Sequence, residues 1–225
     1  MTRLKLLLVG YGKMGHLVEE VARQRGHEIA GIIDVGKPAF ADADVAIDFS
    51  TAEALRANFN EYVQRRLPVV IGTTGWRADA DSFMTRAADA KLGVVAAPNF
   101  SVGVNLFEMI VAEAARLMAG RDEYEAYLHE RHHSTKLDAP SGTALLLRDA
   151  MLAAGYTRPI DESHVRAGRI PGVHEIGFDS ASDTIELKHT ARDRKGFASG
   201  AVLAAEWLQG RTGWYTMADV LKNRG

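Results

Sequence analysis

The chain has 225 residues, 47% of them hydrophobic and 25% charged, with a net charge of −2; that is ordinary globular material, long enough for one large or two small cores and without the basic field that nucleic-acid binding needs. Cysteine is absent, which excludes a disulfide framework and thiolate metal ligation, and the eight histidines lack zinc-ligand spacing, so no metal is expected. The N-terminal apolar run Leu6 to Val9 meets a glycine turn at once and is too short for a signal peptide or a membrane span; the expectation is a cytoplasmic protein whose partners are small molecules or its own copies.

Leu4 to Val9 reads as a strand, Lys13 to Arg25 carries Met14, Leu17, Val18 and Val21 at helical spacing, and a second strand, Glu28 to Ile33, ends in Asp34. The alternation continues with a strand at Val45 to Asp48, a helix from Ala52 to Arg66, a strand at Pro68 to Ile71, a helix at Asp79 to Ala90 and a strand at Leu92 to Ala96. Strands separated by helices pair in parallel through right-handed crossovers, so the fold class is α/β, a Rossmann-like doubly wound parallel sheet. Past residue 100 the order changes to a helix at Val104 to Met118, a strand at Tyr124 to Glu130, a polar loop and a helix at Thr143 to Ala154. A loop from Gly155 to Gly172 then leads to strands at Val173 to Phe178 and Thr184 to Thr190. This predicts a second, α+β domain, after which Ala198 to Gln209 and Met217 to Lys222 are helical again.

Gly10-Tyr11-Gly12-Lys13-Met14-Gly15 is a G-x-G-x-x-G hexapeptide placed directly after the first strand and opening the first helix. Alone it is a glycine turn; with a strand before it, a helix after it and Asp34 ending the second strand, it meets the context that dinucleotide binding requires. Gly10 then makes the tight turn, Gly12 admits the pyrophosphate, Gly15 allows close packing, and Asp34 accepts hydrogen bonds from the adenosine ribose. Gly72-Thr73-Thr74-Gly75 and Ala97-Pro98-Asn99-Phe100-Ser101 follow two later strands, at the carboxyl ends where ligands of open α/β sheets bind.

The richest segment runs from His132-His133 through Lys136 and Asp138 to Ala139-Pro140-Ser141-Gly142-Thr143-Ala144. Two imidazoles, an ammonium and a carboxylate make poor core material. Pro140 disfavours α geometry at Ala139, Ser141 is a good N-cap, and the apolar residues from Ala144 to Leu147 look like a helix face, so the turn opens a helix. Backbone N–H groups at Gly142 and Thr143 suit an anion at that helix end. Lys136, His132 and His133, approaching from the preceding loop, suit a ligand with a carboxylate and a centre to be protonated.

The run Glu130-x-His132-His133-x-x-Lys136-x-Asp138-Ala139-Pro140-Ser141-Gly142-Thr143-Ala144 resembles the signature of the dihydrodipicolinate reductase family, and the likeness extends along nearly the whole chain. The resemblance implies NADH- and/or NADPH-dependent reduction of a cyclic dicarboxylate with a ring C=N, accompanied by loss of water, in the diaminopimelate and lysine pathway. It implies a dinucleotide-binding domain of residues 1–103 plus 194–225, a substrate-binding and oligomerisation domain of residues 104–193, and a homotetramer. By residue-wise carry-over, His132 and Lys136 perform acid–base chemistry, Lys136 being preferred for the ring nitrogen, while His133, Lys136, Ser141, Gly142 and Thr143 hold carboxylate. Glu130 is a hydrogen-bond support, and Asp138 pairs Lys136 or fixes the loop. Gly72, Thr73, Thr74, Ala97, Pro98, Asn99 and Phe100 line the nicotinamide and its ribose, and Arg194 and Phe197 close over the cofactor side. The first glycine loop is shorter than in many relatives, so cofactor preference turns on Asp34, which suits NADH, against Lys37, which reaches a 2′-phosphate. His16, His27, His129, His164 and His174 read as structural or solvent-facing. Rival readings are another Rossmann-type reductase of an imino or oxo acid and a nicotinamide-binding regulatory module.

Overall fold

Leu6, Leu8, Val45, Ile47, Val70 and Val95 are buried in one hydrophobic cluster, and Leu7, Val9, Ala46, Val69, Ile71 and Val94 in another. Neighbouring strand residues point to opposite faces, so these strands are apolar on both sides and need a layer of helices on each. The computed structural model describes residues 2–35 and 40–222, and the chain divides into two units, 1–102 with 194–225, and 103–193.

In the first unit the order is β1 (Lys5–Val9), α1 (Lys13–Gln24), β2 (Glu28–Ile33), β3 (Val45–Asp48), α2 (Ala52–Arg65), β4 (Val69–Ile71), α3 (Ala80–Asp89) and β5 (Gly93–Ala96). Thr51 caps α2 by accepting from the Ala54 N–H at 3.2 Å, whereas α1 starts at Gly12 with no side-chain cap, leaving its first N–H groups open. The second unit runs α4 (Val102–Met118), β6 (Glu125–His132), α5 (Gly142–Ala153), β7 (Ile160–Arg166), β8 (Val173–Asp179) and β9 (Thr184–Thr190). The chain then returns to the first unit with α6 (Lys195–Leu208), β10 (Gly213–Tyr215) and α7 (Met217–Lys222). The first sheet, ordered β10-β5-β4-β3-β1-β2, is parallel throughout; the second, β7-β6-β8-β9, is mixed. Among the described residues no helix is long and apolar enough to cross a membrane.

Three elements differ from the sequence reading. The loop expected from Gly155 to Gly172 contains β7, an edge strand pairing parallel to β6; its Glu162, His164 and Arg166 are held by ion pairs, so it lacks the apolar alternation that marks a strand. The three-residue edge strand β10 is too short to leave a periodic signal. Strand β6 continues to His132, which is therefore a strand residue and not part of the loop that follows.

Helix α6 is fixed to the start of the sheet by Glu206, which accepts from Arg25 at 2.8 and 2.7 Å and from His27 at 2.9 Å. The Leu4 N–H donates to His27 Nδ1 at 3.2 Å, so the proton of a neutral His27 lies on Nε2, towards Glu206. Burial alone would raise Glu206, but the hydrogen bonds from Arg25 and His27 outweigh it and hold the carboxyl below its ordinary value. Deeper in α6, a Cβ at Gly200 would lie 1.7 Å from the Phe100 carbonyl oxygen. Gly200→Ala is therefore expected to cost more than about 3 kcal/mol, read as a large loss of Tm. Gly196→Ala in the same helix, whose Cβ meets nothing closer than 3.6 Å, is expected to be neutral or to gain up to about 1 kcal/mol; equal losses in both would show that the close approach at Gly200 is not limiting.

Candidate active site

In the first unit the glycine loop lines a cavity of about 450 Å³ with Asp34, Phe49, Ser50, Thr51 and Asn58. Its three glycines do different work. Gly10 sits at φ +83°, and a Cβ there would come within 2.4 Å of the Phe49 carbonyl oxygen; one at Gly15 would come equally close to the Gly10 carbonyl oxygen. Among the described residues a Cβ at Gly12, at the uncapped start of α1, would meet nothing within 4 Å. Lys13 is exposed and Met14 packs against the core. A second cavity of about 270 Å³ is lined by Thr73, Thr74, Ala97, Pro98 and Trp214.

Asp48, fully buried at the end of β3, ties these loops together. Its Oδ1 accepts from the Ser50 N–H (2.9 Å), Ser50 hydroxyl (2.6 Å) and Thr73 hydroxyl (2.8 Å), and its Oδ2 from the Tyr62 hydroxyl (2.8 Å). Gly72 abuts the Phe49 ring, where a Cβ would lie 2.1 Å from Cε1. Asn99 accepts from the Ser101 N–H at 2.8 Å, shaping its own turn. The Phe100 side chain belongs to the core, only 1% exposed, because the chain must turn inward beneath α6. Arg194 is exposed just before α6, and Phe197 is half-buried in its first turn. Lys37 lies outside the described residues.

In the second unit the inward face of the sheet changes character along its length. Ala126 and Leu128 on β6 and Ile176 and Phe178 on β8 pack under α4 and α5; further along, the same faces carry polar groups. The register places His164, Glu130, His174 and His189 in one row across all four strands, with His132 beside Arg166 in the next. Glu130, fully buried, is the hub. Its Oε1 accepts from Arg166 at 2.6 Å and from the Ser141 N–H at 3.1 Å, and His164 Nδ1 lies 3.2 Å away. Its Oε2 lies 3.3 Å from His132 Nε2 and 3.5 Å from His174 Nε2. Burial would raise this carboxyl, but the hydrogen bonds from Ser141 and Arg166 bring it down to about 2.

Ser141 caps α5, accepting from the Ala144 N–H at 3.1 Å, and its hydroxyl lies 3.0 Å from His174 Nε2. The N–H groups of Gly142 and Thr143 have no intrahelical partner by helix geometry, and a Cβ at Gly142 would meet nothing within 4 Å. Lys136 donates to both oxygens of Asp138, at 2.7 and 2.8 Å. His133 Nδ1 lies 2.7 Å from the Thr135 hydroxyl. The structure thus brings His132 beside the Ser141 cap and pairs Lys136 with Asp138.

Sequence reasoning missed three members of this cluster. His174 and His164, taken as structural or solvent-facing, converge on Glu130, and Arg166 is the guanidinium that neutralises it. Cross-strand pairing, invisible to linear spacing, put them there. It also brings Glu130, His132 and His174 close enough to offer one ligand atom each to a metal; in this arrangement their hydrogen bonds, with Ser141 and Arg166, already account for the three groups.

Both buried groups tie stability of the second unit to pH. Burial, reinforced by His132, pushes His174 down to about 4, so between about pH 6.5 and 4 the unfolded chain binds a proton that the folded chain does not. Glu130, at about 2 against an ordinary 4.5, extends the same sign to lower pH: its stabilisation is complete above about pH 4.5 and lost as pH falls towards 2. Unfolding followed by histidine ring signals is expected to show stability falling continuously below pH 6.5, each group contributing on the order of 3 kcal/mol; a flat profile from pH 6.5 to 4 would show that His174 is not held neutral.

Profiles of the dihydrodipicolinate reductase N-terminus and C-terminus match residues 4–100 and 103–221. A 4-hydroxy-tetrahydrodipicolinate reductase of Christiangramia forsetii is 37% identical over 235 residues, covering 98% of both chains. One from Neisseria gonorrhoeae is 40% identical over 200 residues, covering 80% of this chain and 73% of its own. The solved structure of a dipicolinate-bound dihydrodipicolinate reductase from Paenisporosarcina sp. TG-14 shares the fold, with a TM-score of 0.82 at 22% identity over 96% of this chain and 98% of that one. With both profiles matched in sequence along almost its full length, this chain belongs to the dihydrodipicolinate reductase family.

Proposed function

We propose that this chain reduces 4-hydroxy-tetrahydrodipicolinate to tetrahydrodipicolinate, consuming NADH or NADPH and a proton and releasing water. The observation that carries this reading is the Ser141-capped start of α5, with open N–H groups at Gly142 and Thr143, hydrogen-bonded through His174 and Glu130 to the frame that holds His132. Such a turn binds carboxylate, and the neighbouring groups hold protons. When bound, a reduced nicotinamide would supply the hydride; in the first unit Gly12 would admit its pyrophosphate, Asp34 would accept from its ribose, and Thr73, Thr74, Ala97 and Pro98 would line the nicotinamide end. Gly10, Lys13, Met14, Gly15, Gly72, Asn99 and the Phe100 backbone shape that site, with Arg194 and Phe197 beside it.

In the second unit Gly142, Thr143, Ser141, His133 and Lys136 hold the substrate carboxylates. Lys136, paired with the Asp138 carboxylate, delivers the proton to the ring nitrogen. His132 completes the acid–base pair. Burial lowers this imidazole and Glu130 opposes the shift, with the net direction downward, which suits it to exchanging a proton rather than carrying a standing charge. The outward sheet face, where Tyr127 bonds Glu186 at 2.8 Å and His129 bonds Ser163 at 2.7 Å, is the assembly surface of a homotetramer, checked by native mass.

Oxidation of NADH and NADPH is measured with the condensation product of pyruvate and aspartate semialdehyde; a folded protein with no turnover on either cofactor overturns the activity. Lys136→Ala is expected to lose about a hundredfold to ten-thousandfold in kcat while binding dinucleotide normally; near-normal turnover would move the acid to His132 or to solvent. Pyridine-2,6-dicarboxylate is expected to compete with substrate far better than picolinate, and Gly142→Ala to weaken it without lowering Tm, since the added methyl enters only open space. Gly12→Ala is expected to weaken dinucleotide binding alone. For the cofactor, NADH is expected to lead by no more than about five- to thirtyfold in kcat/KM, and a strong NADPH preference would show that Asp34 does not read the ribose.

A further inference from the structure

Resting on the reading that the second unit supplies both the proton and the carboxylate turn, we propose that His174 is a positioning residue that locks His132 and the Ser141 cap into one frame. It is the second residue of β8, an interior strand of the sheet, 5% exposed, and is paired across the sheet with Glu130 on one side and His189 on the other. Its Nε2 is 3.0 Å from the Ser141 hydroxyl, 3.3 Å from His132 Nε2 and 3.5 Å from Glu130 Oε2. One atom thus faces the imidazole assigned to acid–base chemistry, the cap of the helix assigned to carboxylate, and the carboxylate that anchors both.

Two protonated imidazoles at that distance would repel, and burial makes a charge on His174 costlier than one on His132, so His174 stays neutral while His132 exchanges its proton. Because only Nε2 of His174 faces the Ser141 hydroxyl, the neutral ring donates to it in one tautomer and accepts from it in the other, while the Ser141 backbone N–H stays on Glu130 in both. The frame therefore absorbs a change of His132 protonation without moving α5. Space around the pair is tight: a Cβ at Gly172 would sit 3.3 Å from His132 Cε1, so with His174 on one side and Gly172 on the other the His132 ring is fixed in orientation.

The test separates this role from simple packing. In the wild-type protein, ¹⁵N spectra of the histidine rings are expected to show His174 neutral from pH 5.5 to 8, with its nitrogens shifting as His132 titrates; a His174 ring indifferent to His132 overturns the proposal, and this readout needs no turnover. His174→Asn, which withdraws the Nε2 position, is expected to lower kcat about tenfold to a hundredfold and raise substrate KM, with dinucleotide affinity unchanged. His174→Gln, which restores a polar atom there, is expected to recover most of kcat. In a His132→Ala background the Asn substitution is expected to add little, since its effect passes through His132. Fully additive losses, or loss of dinucleotide affinity, would mark His174 as packing only, whereas an inactive wild type with coupled ring titrations would instead reject the proposed reaction.

Discussion

The second unit depends on a carboxylate in a place where carboxylates are costly. Glu130 has no exposed surface, and an isolated charge at such a site would neutralise itself or unfold its surroundings. Arg166, the Ser141 N–H and three imidazoles prevent this, arriving from four elements: Arg166 and His164 from β7, Ser141 from the start of α5, His132 from β6 itself and His174 from β8. Satisfying one charge thereby fixes where three strands and a helix end. The same sheet face is an apolar core at Leu128 and Ile176 and a hydrogen-bonded polar row two residues further on; the transition is abrupt because side chains alternate with a period of two and each row is either packed or hydrogen-bonded.

The first unit solves its own problem similarly. Asp48 ends β3 in full burial, and its oxygens gather the hydroxyls of Ser50, Thr73 and Tyr62. Loops following two neighbouring parallel strands are thus tied to one group, which gives the strand ends a defined shape although loops have little packing of their own. Gly10 and Gly15 belong to this rigid part, since each sits against a backbone carbonyl; Gly12 does not, and its emptiness is what a ligand can use.

Lys136 illustrates what a static ion pair contributes. Its partner Asp138 is largely exposed, with 59% of its side chain accessible, so the pair adds little stability. What the geometry provides is a lysine held in place on the loop that leads into α5. A buried, fully bonded carboxylate and a partly exposed ion pair thus sit within one short stretch of sequence.

The sequence by itself determined the α/β class, because apolar runs broken by helical spacing leave a doubly covered parallel sheet as the natural way to bury both faces. It also determined the cap at Ser141 and the glycine turn at Gly10, since local backbone demands are written in local residues. The resemblance carried by residues 130–144 pointed to the family, a matter of motif rather than of physics. Only the tertiary structure decided that His132 closes a strand, that β7 exists without an apolar pattern, that Phe100 is core, and that His174, His164 and Arg166 surround Glu130. Those outcomes depend on which strands pair and in what register, and pairing joins Glu130 to His164, 34 positions away, and to His174, 44 positions away, whose spacing along the chain holds no trace of the contact.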